Sequence, residues 1–396
     1  MSDADDPFAC FGGEDSDGDG EDTSIDASAA AGGTDTVRDL DANATPIGEV
    51  SREAIQAQRL RQEAESRQAY AKIASSPASI QPLHTSEPEK YANRFEVYEC
   101  SHEDGYDTGQ KGVRATKSYK VGEEILREYP AMRVCTSHPA SSPEEAEDKF
   151  RRAVQEAYDA CSEVTQAAIM ELSSCREDNT PGGEKTLHGI FSTNTYALGQ
   201  GATYGGLFLS LSRLNHSCRP NCVHHWRPDM HCMIVHAVRD IEEGQELCTC
   251  YGPGDCRLTS ERQEYLLERY NFRCLCDMCQ EGSDVKNNGD KLEYERIYRF
   301  HDNLPMLASR DSEKAIGKVE GCLDLLQQLQ MGEAHFVPIL HFGYEIARHG
   351  LHDLDRARSY LEREVTALEH SQGSDSYGAI DARRLLSRVK EEVLHV

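Results

Sequence analysis

The sequence predicts an α+β protein in which a β-rich core, interrupted by a helical insert, is followed by an α-helical C-terminal domain. Stretches in which apolar and polar residues alternate begin near residue 94 and return between residues 188 and 250, a pattern typical of strands. Between residues 143 and 175 the apolar residues instead recur at three- and four-residue steps, which indicates helices. After about residue 287, four amphipathic segments with short connections predict further helices.

The negative charge of the chain is concentrated at its N-terminus. Across 396 residues, 69 acidic and 42 basic side chains leave a net charge of −27. Residues 1–50 contribute −13 of this charge, because they contain fourteen Asp or Glu residues and one basic residue, Arg38. Such a stretch buries too little apolar surface to offset the entropy of ordering, so we expect a disordered acidic tail. The overall negative charge argues against direct nucleic-acid binding, which needs a basic surface.

Residues 51–93 are predicted to form a solvated helix and a linker. Residues 51–74 are rich in Ala, Gln, Glu and Arg, whereas residues 75–88 contain three prolines. The chain has no run of 18 apolar residues, so we expect no membrane span. The acidic N-terminus also lacks the features of a signal peptide, and we therefore expect the protein in the cytoplasm, the nucleus or both.

The β-rich core is predicted over residues 94–256. Its strands include residues 95–98 and the stretch 113–134, which is broken by a turn at residues 120–122. A helical insert occupies residues 136–185 and ends in a Pro-Gly-Gly loop. The apolar face predicted for the insert consists of Phe150, Val154, Ala157, Cys161, Val164, Ala168 and Leu172.

The α-helical C-terminal domain is predicted over residues 287–396. Its spacing of helices suggests stacked hairpins of the tetratricopeptide kind, but the strict repeat pattern is absent and a plain helical bundle is equally compatible with the sequence. The four predicted helices are Glu313–Gln330, His335–His349, Asp353–Gln372 and Ala379–Val393.

Three cysteines within six residues form the strongest local motif. Cys274, Cys276 and Cys279 are spaced C-x-C-x-x-C in a chain with fifteen cysteines, for which we expect a reducing compartment. Thiolates so spaced can hold one zinc ion, which takes four ligands in structural sites. The candidates for the fourth ligand are several upstream histidines and the cysteines Cys218, Cys222, Cys232, Cys248, Cys250 and Cys256.

Three further motifs contain polar groups suited to binding. The run Asn215-His216-Ser217-Cys218, followed by Arg-Pro-Asn, offers hydrogen-bonding groups in a polar turn. A Gly-Gln-Glu-Leu turn at residues 244–247 leads to Tyr251. A Gly-Gln-Lys-Gly turn at residues 109–112 opens a strand, and it does not fit a phosphate-binding loop because no helix follows.

These motifs, in this order, resemble the SET-domain protein-lysine methyltransferases, and the nearest branch is the SET- and MYND-type group with its fungal relatives. The resemblance covers residues 94–280. It implies small curved sheets around a pseudoknot, in which the Asn-His-Ser segment threads beside the segment that carries Tyr251. It also implies a post-SET zinc segment at residues 257–282.

The resemblance assigns a role to each matching position. Tyr251 matches the active-site tyrosine, and Tyr270 matches a second tyrosine that lines the lysine channel. Cys218 matches the fourth zinc ligand, beside Cys274, Cys276 and Cys279. The implied contacts to S-adenosylmethionine are Gln110, Lys111, Gly112, Asn194, Asn215, His216, Tyr251 and Phe272.

The sequence departs from the family at two places. Gln110 stands where the family's Gly-x-Gly loop has its first glycine, and Gly109 precedes it. The only Cys and His residues of the insert are Cys161, Cys175 and His138, too few for a MYND finger.

The resemblance implies S-adenosylmethionine-dependent methylation of lysine side chains, with a structural zinc ion. A histone tail is a candidate substrate, and we expect a monomer. Two alternatives stay open: a catalytically silent SET-like scaffold that binds protein partners, and a zinc-stabilised adaptor without a cofactor.

Deletion of residues 2–50 should leave the thermal transition of the core within about two degrees of the full chain, because an exposed tail makes few contacts. Thermal unfolding of both forms measures this difference. A large loss of stability would show that the acidic tail docks on the core.

Overall fold

The structure is a computed structural model, and it describes most of the chain between residues 93 and 395. The predictions for the acidic tail, for the helix and linker up to residue 92 and for the Pro-Gly-Gly loop lie outside the described residues. The described ranges are 93–100, 110–138, 140–175, 185–199, 202–252, 259–280, 304 and 307–395.

Ten strands form four small sheets in the described part of the chain. In chain order they are β1 (Phe95–Glu99), β2 (Lys111–Ala115), β3 (Glu124–Glu128), β4 (Met132–Cys135), β5 (Thr195–Ala197), β6 (Tyr204–Leu207), β7 (Asn215–His216), β8 (Cys222–Arg227), β9 (Cys232–Ala237) and β10 (Cys248–Thr249). Three sheets are antiparallel: β1-β2, β3-β9-β8 and β4-β6-β5. The fourth sheet is the parallel pair of β7 with β10. The strands predicted at residues 95–98 and within 113–134 are confirmed, as is the turn at residues 120–122, where Gly122 adopts a positive φ of 86°.

The insert folds into α1 (Pro143–Asp159) and α2 (Glu163–Met170), as the apolar spacing predicted. The prediction of one continuous apolar face was wrong at Val164, which is 80% exposed. The first helix ends at residue 159, and the side chain of Ser162 caps a second one by accepting from the Thr165 amide. This break resets the helical phase, so that Thr165 and Ile169 point into the core instead.

The region after residue 186 begins with a helix and not with a strand as predicted. Leu187–Asn194 form α3, with the Thr186 side chain accepting a hydrogen bond from the Gly189 amide as the N-cap. Ile190 and Phe191 are fully buried against α1 and β4. Tertiary packing therefore overrides a short apolar run that could not by itself be distinguished from a strand.

Further helices in the described part of the chain include α4 (Thr259–Tyr270), α5 (Asp277–Gln280), α6 (Ser312–Gln328), α7 (Phe336–Glu345), α8 (Leu354–Gln372) and α9 (Tyr377–His395). The four C-terminal helices match the predicted segments to within a few residues, and α7 continues through a π-helical turn at Ile346–Gly350. Each of them packs on the next. Gly343 permits the close contact of α7 with α8, because a Cβ there would lie 2.6 Å from the Tyr360 ring. Stacking of the tetratricopeptide kind remains a prediction.

The C-terminal helices pack directly on the β-rich core. Helix α8 lies against β8 and β9, and Arg227 of β8 forms an ion pair with Asp375 at 2.9 Å. A Cβ at Gly332 would lie 2.7 Å from Val238, which shows how tightly the two parts meet. Among the described helices, none combines the length and the apolar composition that a bilayer crossing requires.

A buried carboxylate in this helical domain predicts a pH-dependent contribution to stability. His341 Nδ1 lies 3.1 Å from Glu364 Oε1, and Glu364 is buried. Burial lowers the pKa of His341, but the charges of Glu364, Glu345 and Asp381 outweigh burial and raise it above the ordinary value. The stabilisation is therefore complete below the unfolded-state pKa of about 6.5 and is lost as the pH rises through the raised folded-state pKa.

We expect His341→Gln to lower the melting temperature at about pH 6 by a few degrees at most, and by less at about pH 9. Thermal unfolding of both proteins at each pH measures the difference in melting temperature. Groups that titrate in both proteins affect both melting temperatures alike and so cancel from this difference. An equal difference at the two pH values would contradict the assignment.

Candidate active site and metal centre

A cleft with a volume of about 1090 Å³ opens where the predicted motifs meet. Its size is at the upper end for ligand pockets, which hold about 300–1,000 Å³, so it can take a nucleoside-sized ligand together with a long side chain. Gly112 is not among the residues that line the cleft. All the other predicted cofactor and tyrosine positions line the cleft: Gln110, Lys111, Asn194, Asn215, His216, Tyr251, Tyr270 and Phe272.

The parallel pairing of β7 with β10 brings two of the motifs together. Asn215 lies beside Cys248, and His216 lies beside Thr249. The Ser217 amide extends the pairing by donating to the Thr249 carbonyl at 3.0 Å. The Asn-His-Ser motif and the segment that leads to Tyr251 therefore lie side by side in the cleft wall.

Asn215 is held by Glu246, which sequence reasoning did not single out as a site residue. Asn215 Nδ2 donates to Glu246 Oε1 at 2.8 Å, which leaves Asn215 Oδ1 as the acceptor for a ligand. A Cβ at Gly112 would lie 2.8 Å from that Glu246 oxygen and 3.0 Å from Asn215 Nδ2. Gly112 therefore supports the cleft without lining it, because the absence of a side chain there leaves room for the hydrogen bond between Asn215 and Glu246. The available signal for Glu246 was its position in the Gly-Gln-Glu-Leu motif.

His216 connects the tyrosine segment with the cysteine cluster. The Tyr251 amide donates to His216 Nδ1 at 3.1 Å, and burial lowers the pKa of His216 to about 4. The ring is therefore neutral and carries its hydrogen on Nε2. His216 Nε2 faces Cys218 Sγ at 3.3 Å. Both ring nitrogens are thus engaged within the protein.

Three aromatic rings converge above this histidine. Tyr251 lies 5.0 Å from Tyr270 and 6.3 Å from Phe272, measured between ring centroids. The Tyr251 hydroxyl donates to the Leu214 carbonyl at 2.7 Å, and the Tyr270 hydroxyl donates to the Tyr251 carbonyl at 2.9 Å. These hydrogen bonds fix both phenols in a narrow aromatic wall.

A second histidine in the cleft was also missed by sequence reasoning. His224 of β8 makes an edge contact with Tyr196 at 4.9 Å, and its Nδ1 lies 3.3 Å from Thr249 Oγ1. Burial lowers the pKa of His224 to about 4, so the ring is neutral near pH 7. Two histidines follow each other on this strand, and only the tertiary structure decides which of them lines the cleft.

Asn194 lies at the edge of the cleft with its amide already bonded. Its Nδ2 donates to the carbonyls of Ser173 and Ile190, at 2.7 and 2.8 Å. The side chain thereby ties α3 to the end of the insert, and only its oxygen is left for a ligand.

The loop that enters the site is held by a buried carboxylate on β3. Glu128 accepts from the amides of Ser210 and Leu211, at 2.8 and 2.9 Å. Burial raises the pKa of Glu128, against the opposing effect of these donors. The carboxylate thus fixes a short 3-10 turn, Leu211–Arg213, which ends two residues before Asn215.

Four cysteine sulfurs converge beside the cleft as the motif predicted. The sulfurs of Cys218, Cys274, Cys276 and Cys279 all lie within 4.8 Å of one another. Cys218 Sγ is 3.9 Å from the Cys274 sulfur and 3.6 Å from the Cys279 sulfur. A tetrahedral ion with metal–sulfur bonds of about 2.3 Å places its ligands about 3.8 Å apart, so the four residues fit a metal such as zinc.

Helix α4 supports this cluster with two adjacent side chains. Arg262 Nε donates to Cys218 Sγ at 3.3 Å. Gln263 brackets the backbone of Cys274, since its Nε2 donates to the carbonyl at 2.7 Å and its Oε1 accepts from the amide at 2.9 Å. The same helix ends at Tyr270, so one element contacts both the cluster and the aromatic wall.

Comparisons with known proteins agree with this arrangement. Residues 110–252 match the family model of the SET domain. The chain carries a SET domain.

Curated relatives indicate the class of this SET domain. The chain is 28% identical over 267 residues to the histone-lysine N-methyltransferase set5 of Schizosaccharomyces pombe, which covers 67% of this chain and 76% of that protein. It is 46% identical over 76 residues to human histone-lysine N-methyltransferase SMYD3, covering 19% of this chain and 17% of SMYD3. Human protein-lysine N-methyltransferase SMYD4 matches at 25% over 210 residues, or 43% of this chain and 26% of SMYD4. The SET domain is therefore of the protein-lysine methyltransferase class and is related to the SMYD group, although the chain spans less than a third of SMYD3 or SMYD4.

Proposed function

We propose that this protein transfers a methyl group from S-adenosylmethionine to lysine side chains of other proteins. The observation that carries the proposal is the convergence of Asn215, Tyr251 and Phe272 on one cleft of sufficient volume. The class of the SET domain supports the same reaction. We propose that residues 94–256 act as the catalytic domain, residues 257–282 as the post-SET segment and residues 287–396 as the helical domain.

The cofactor would be held by polar groups at one end of the cleft and by an aromatic ring at the other. Asn215 Oδ1 would accept a hydrogen bond, since Glu246 occupies the amide nitrogen. Phe272 offers an apolar face to a base ring. Gln110, Lys111 and Asn194 would complete the wall. His216 would act indirectly, because both of its ring nitrogens are used within the protein.

The bound S-adenosylmethionine supplies a methyl group on a positively charged sulfur, which makes the methyl an acceptor for the lone pair of a neutral amine. The target lysine must therefore be bound with its amine in the neutral, deprotonated form. A lysine side chain in water has a pKa of about 10.4, and a poorly solvated channel lowers it. The aromatic wall of Tyr251 and Tyr270 provides such a channel. Much of the catalysis would be positioning of the amine and exclusion of water.

Tyr251 is suited to orienting the amine and not to removing its proton. A phenol has an ordinary pKa of about 10, so it is a poor base near pH 7. Its hydroxyl is anchored on the Leu214 carbonyl at 2.7 Å, and a phenol oxygen that donates one hydrogen bond can also accept one from an incoming amine. Tyr270 would wall the channel from the opposite side.

The metal is proposed to be zinc with a structural role. Four thiolates complete its coordination and leave no position for a reacting water. The metal would join the post-SET cysteines to Cys218, and through them hold Phe272 against the Asn-His-Ser motif. Formation of the cofactor pocket would thus be coupled to metal binding.

The substrate is proposed to be a protein with an accessible lysine. The relatives named as histone-lysine methyltransferases make a histone tail the first candidate to test. Incubation of the purified chain with labelled methyl donor and whole-cell protein, followed by separate assays on histones, tests the proposed reaction. Absence of any methyl transfer by a chain that binds the cofactor would favour the silent scaffold.

Purified wild-type protein should contain about one zinc ion, and Cys276→Ser should lose most of it, because three thiolates hold zinc less tightly than four. Elemental analysis of both proteins measures the content. A matched control is Cys322→Ser, which removes a buried thiol of α6 that is not one of the four clustered cysteines. A folded, cofactor-binding wild type without metal would refute the site.

Tyr251→Phe should reduce methyl transfer by about 100-fold or more while leaving cofactor affinity nearly unchanged, because the hydroxyl acts mainly in the transition state. Asn215→Ala should instead weaken cofactor binding, and His216→Ala should weaken it by loosening the Tyr251 segment. Calorimetric titration with S-adenosylhomocysteine and single-turnover methylation separate the two effects.

Tyr344→Phe serves as the control for the tyrosine variant, since it removes a buried phenol in α7 outside the cleft. Full turnover by Tyr251→Phe on a validated substrate would show that the active-site tyrosine is assigned wrongly. Tyr270 would then be the next candidate.

A further inference from the structure

Arg262 lies inside the protein against the cysteine cluster. The residue is 3% exposed, although it belongs to a helix rich in charged residues. Its Nε donates to Cys218 Sγ at 3.3 Å, and its Nη2 lies 3.9 Å from Cys279 Sγ. An arginine stays charged in proteins, and a buried charge is costly unless it has a partner. Nη2 also donates to Thr259 Oγ1 at 3.2 Å, but a hydroxyl is neutral, and the sulfurs are groups beside the guanidinium that can carry negative charge.

Cys218 receives a second hydrogen-bond donor from the opposite side. The Tyr251 amide donates to His216 Nδ1, so the hydrogen of the ring is on Nε2, which is 3.3 Å from Cys218 Sγ. A neutral thiol is a weak acceptor, whereas a thiolate accepts strongly. Two N–H donors therefore converge on this one buried sulfur, an arrangement that suits a thiolate bound to a metal.

The charge of the metal centre explains why a cation is needed there. One divalent zinc ion with four thiolates has a net charge of about −2, and this charge is buried beside the cleft. We propose that Arg262 is the charge partner of this metal centre, which it stabilises by placing a guanidinium on the sulfurs of Cys218 and Cys279. Arg262 is thus a positioning residue that acts through the metal ligands. The inference rests on the proposed zinc site and is independent of the methyl-transfer reaction.

The position of Arg262 on α4 extends its effect to the cleft. The next residue, Gln263, holds the backbone of Cys274 through two hydrogen bonds, at 2.7 and 2.9 Å. Tyr265 of the same helix packs against Gly252, where a Cβ would lie 2.2 Å from its ring. Tyr270 at the end of the helix donates to the Tyr251 carbonyl. Attachment of α4 to the metal centre therefore also positions the aromatic wall.

The test compares the release of zinc from the full chain and from three variants. Arg262→Met keeps a long side chain and removes the charge, and Arg262→Lys keeps the charge. Glu264→Gln removes a charge from the exposed side of the same helix and serves as the matched control. Zinc content is measured first by elemental analysis, and the rate of release to excess chelator is then followed with a chromogenic zinc indicator.

We expect Arg262→Met to release zinc about 10- to 100-fold faster than the wild type, the range typical of losing an outer-shell partner of a metal ligand. Arg262→Lys should release it within about threefold of the wild-type rate and Glu264→Gln at the wild-type rate, since both retain the cation. Rescue by lysine separates a role of charge from a role of packing.

When Arg262→Met folds, any one of three outcomes would overturn the inference. The first is wild-type release from Arg262→Met, and the second is release from Arg262→Lys as fast as from Arg262→Met. The third is a wild type without zinc, which refutes the metal site itself. Should Arg262→Met lack a cooperative thermal transition, Arg262→Lys decides: a folded protein that retains zinc supports the inference, and a folded protein that loses it overturns the inference.

Discussion

The side-by-side alignment of residues 215–218 with residues 248–251 is the constraint on which the site depends. Two short strands, β7 and β10, pair in parallel, and the Ser217 amide continues the pairing. This alignment joins segments that are about 30 residues apart in the chain. Without it, Asn215 would not meet the cleft that Tyr251 lines, and His216 could not accept from the Tyr251 amide.

Two residues of the Asn-His-Ser-Cys motif, His216 and Cys218, connect it to different parts of the site. His216 binds the Tyr251 backbone with one ring nitrogen and faces Cys218 with the other. Cys218 in turn approaches the sulfurs of Cys274 and Cys279. The polar Asn-His-Ser turn and the segment that carries Phe272 are therefore parts of one connected unit, in which a metal would tie the two ends together.

The helical domain packs on the β-rich core and does not merely follow it in sequence. Helix α8 packs on β8 and β9 of the three-stranded β3-β9-β8 sheet. Arg227 of β8 forms an ion pair with Asp375, which lies just beyond the C-terminal end of this helix. The buried residues of α6 and α7 belong to the same apolar cluster as Leu266 of α4 and the cysteines Cys218 and Cys274. Loss of this domain would therefore expose the side of α4 that positions the metal ligands.

Local patterns in the sequence were sufficient where neighbouring residues decide the structure. The four C-terminal helices follow directly from their 3.6-residue periodicity. The spacing of Cys274, Cys276 and Cys279 predicted a cluster, because three thiols within six residues can point at one metal ion. Even there, a cap decided the detail: Ser162 restarts the insert helix and turns Val164 outward.

The motifs also determined which residues would line the cleft, because each contains the groups that the chemistry requires. Their mutual arrangement was decided by the tertiary structure. No periodicity shows that Glu246 holds the Asn215 amide, that His224 and not its neighbour lines the cleft, or that Arg262 is buried on the sulfurs. Each of these contacts joins residues at least 25 positions apart, and their energy comes from burial and charge pairing that exist only once the chain has folded.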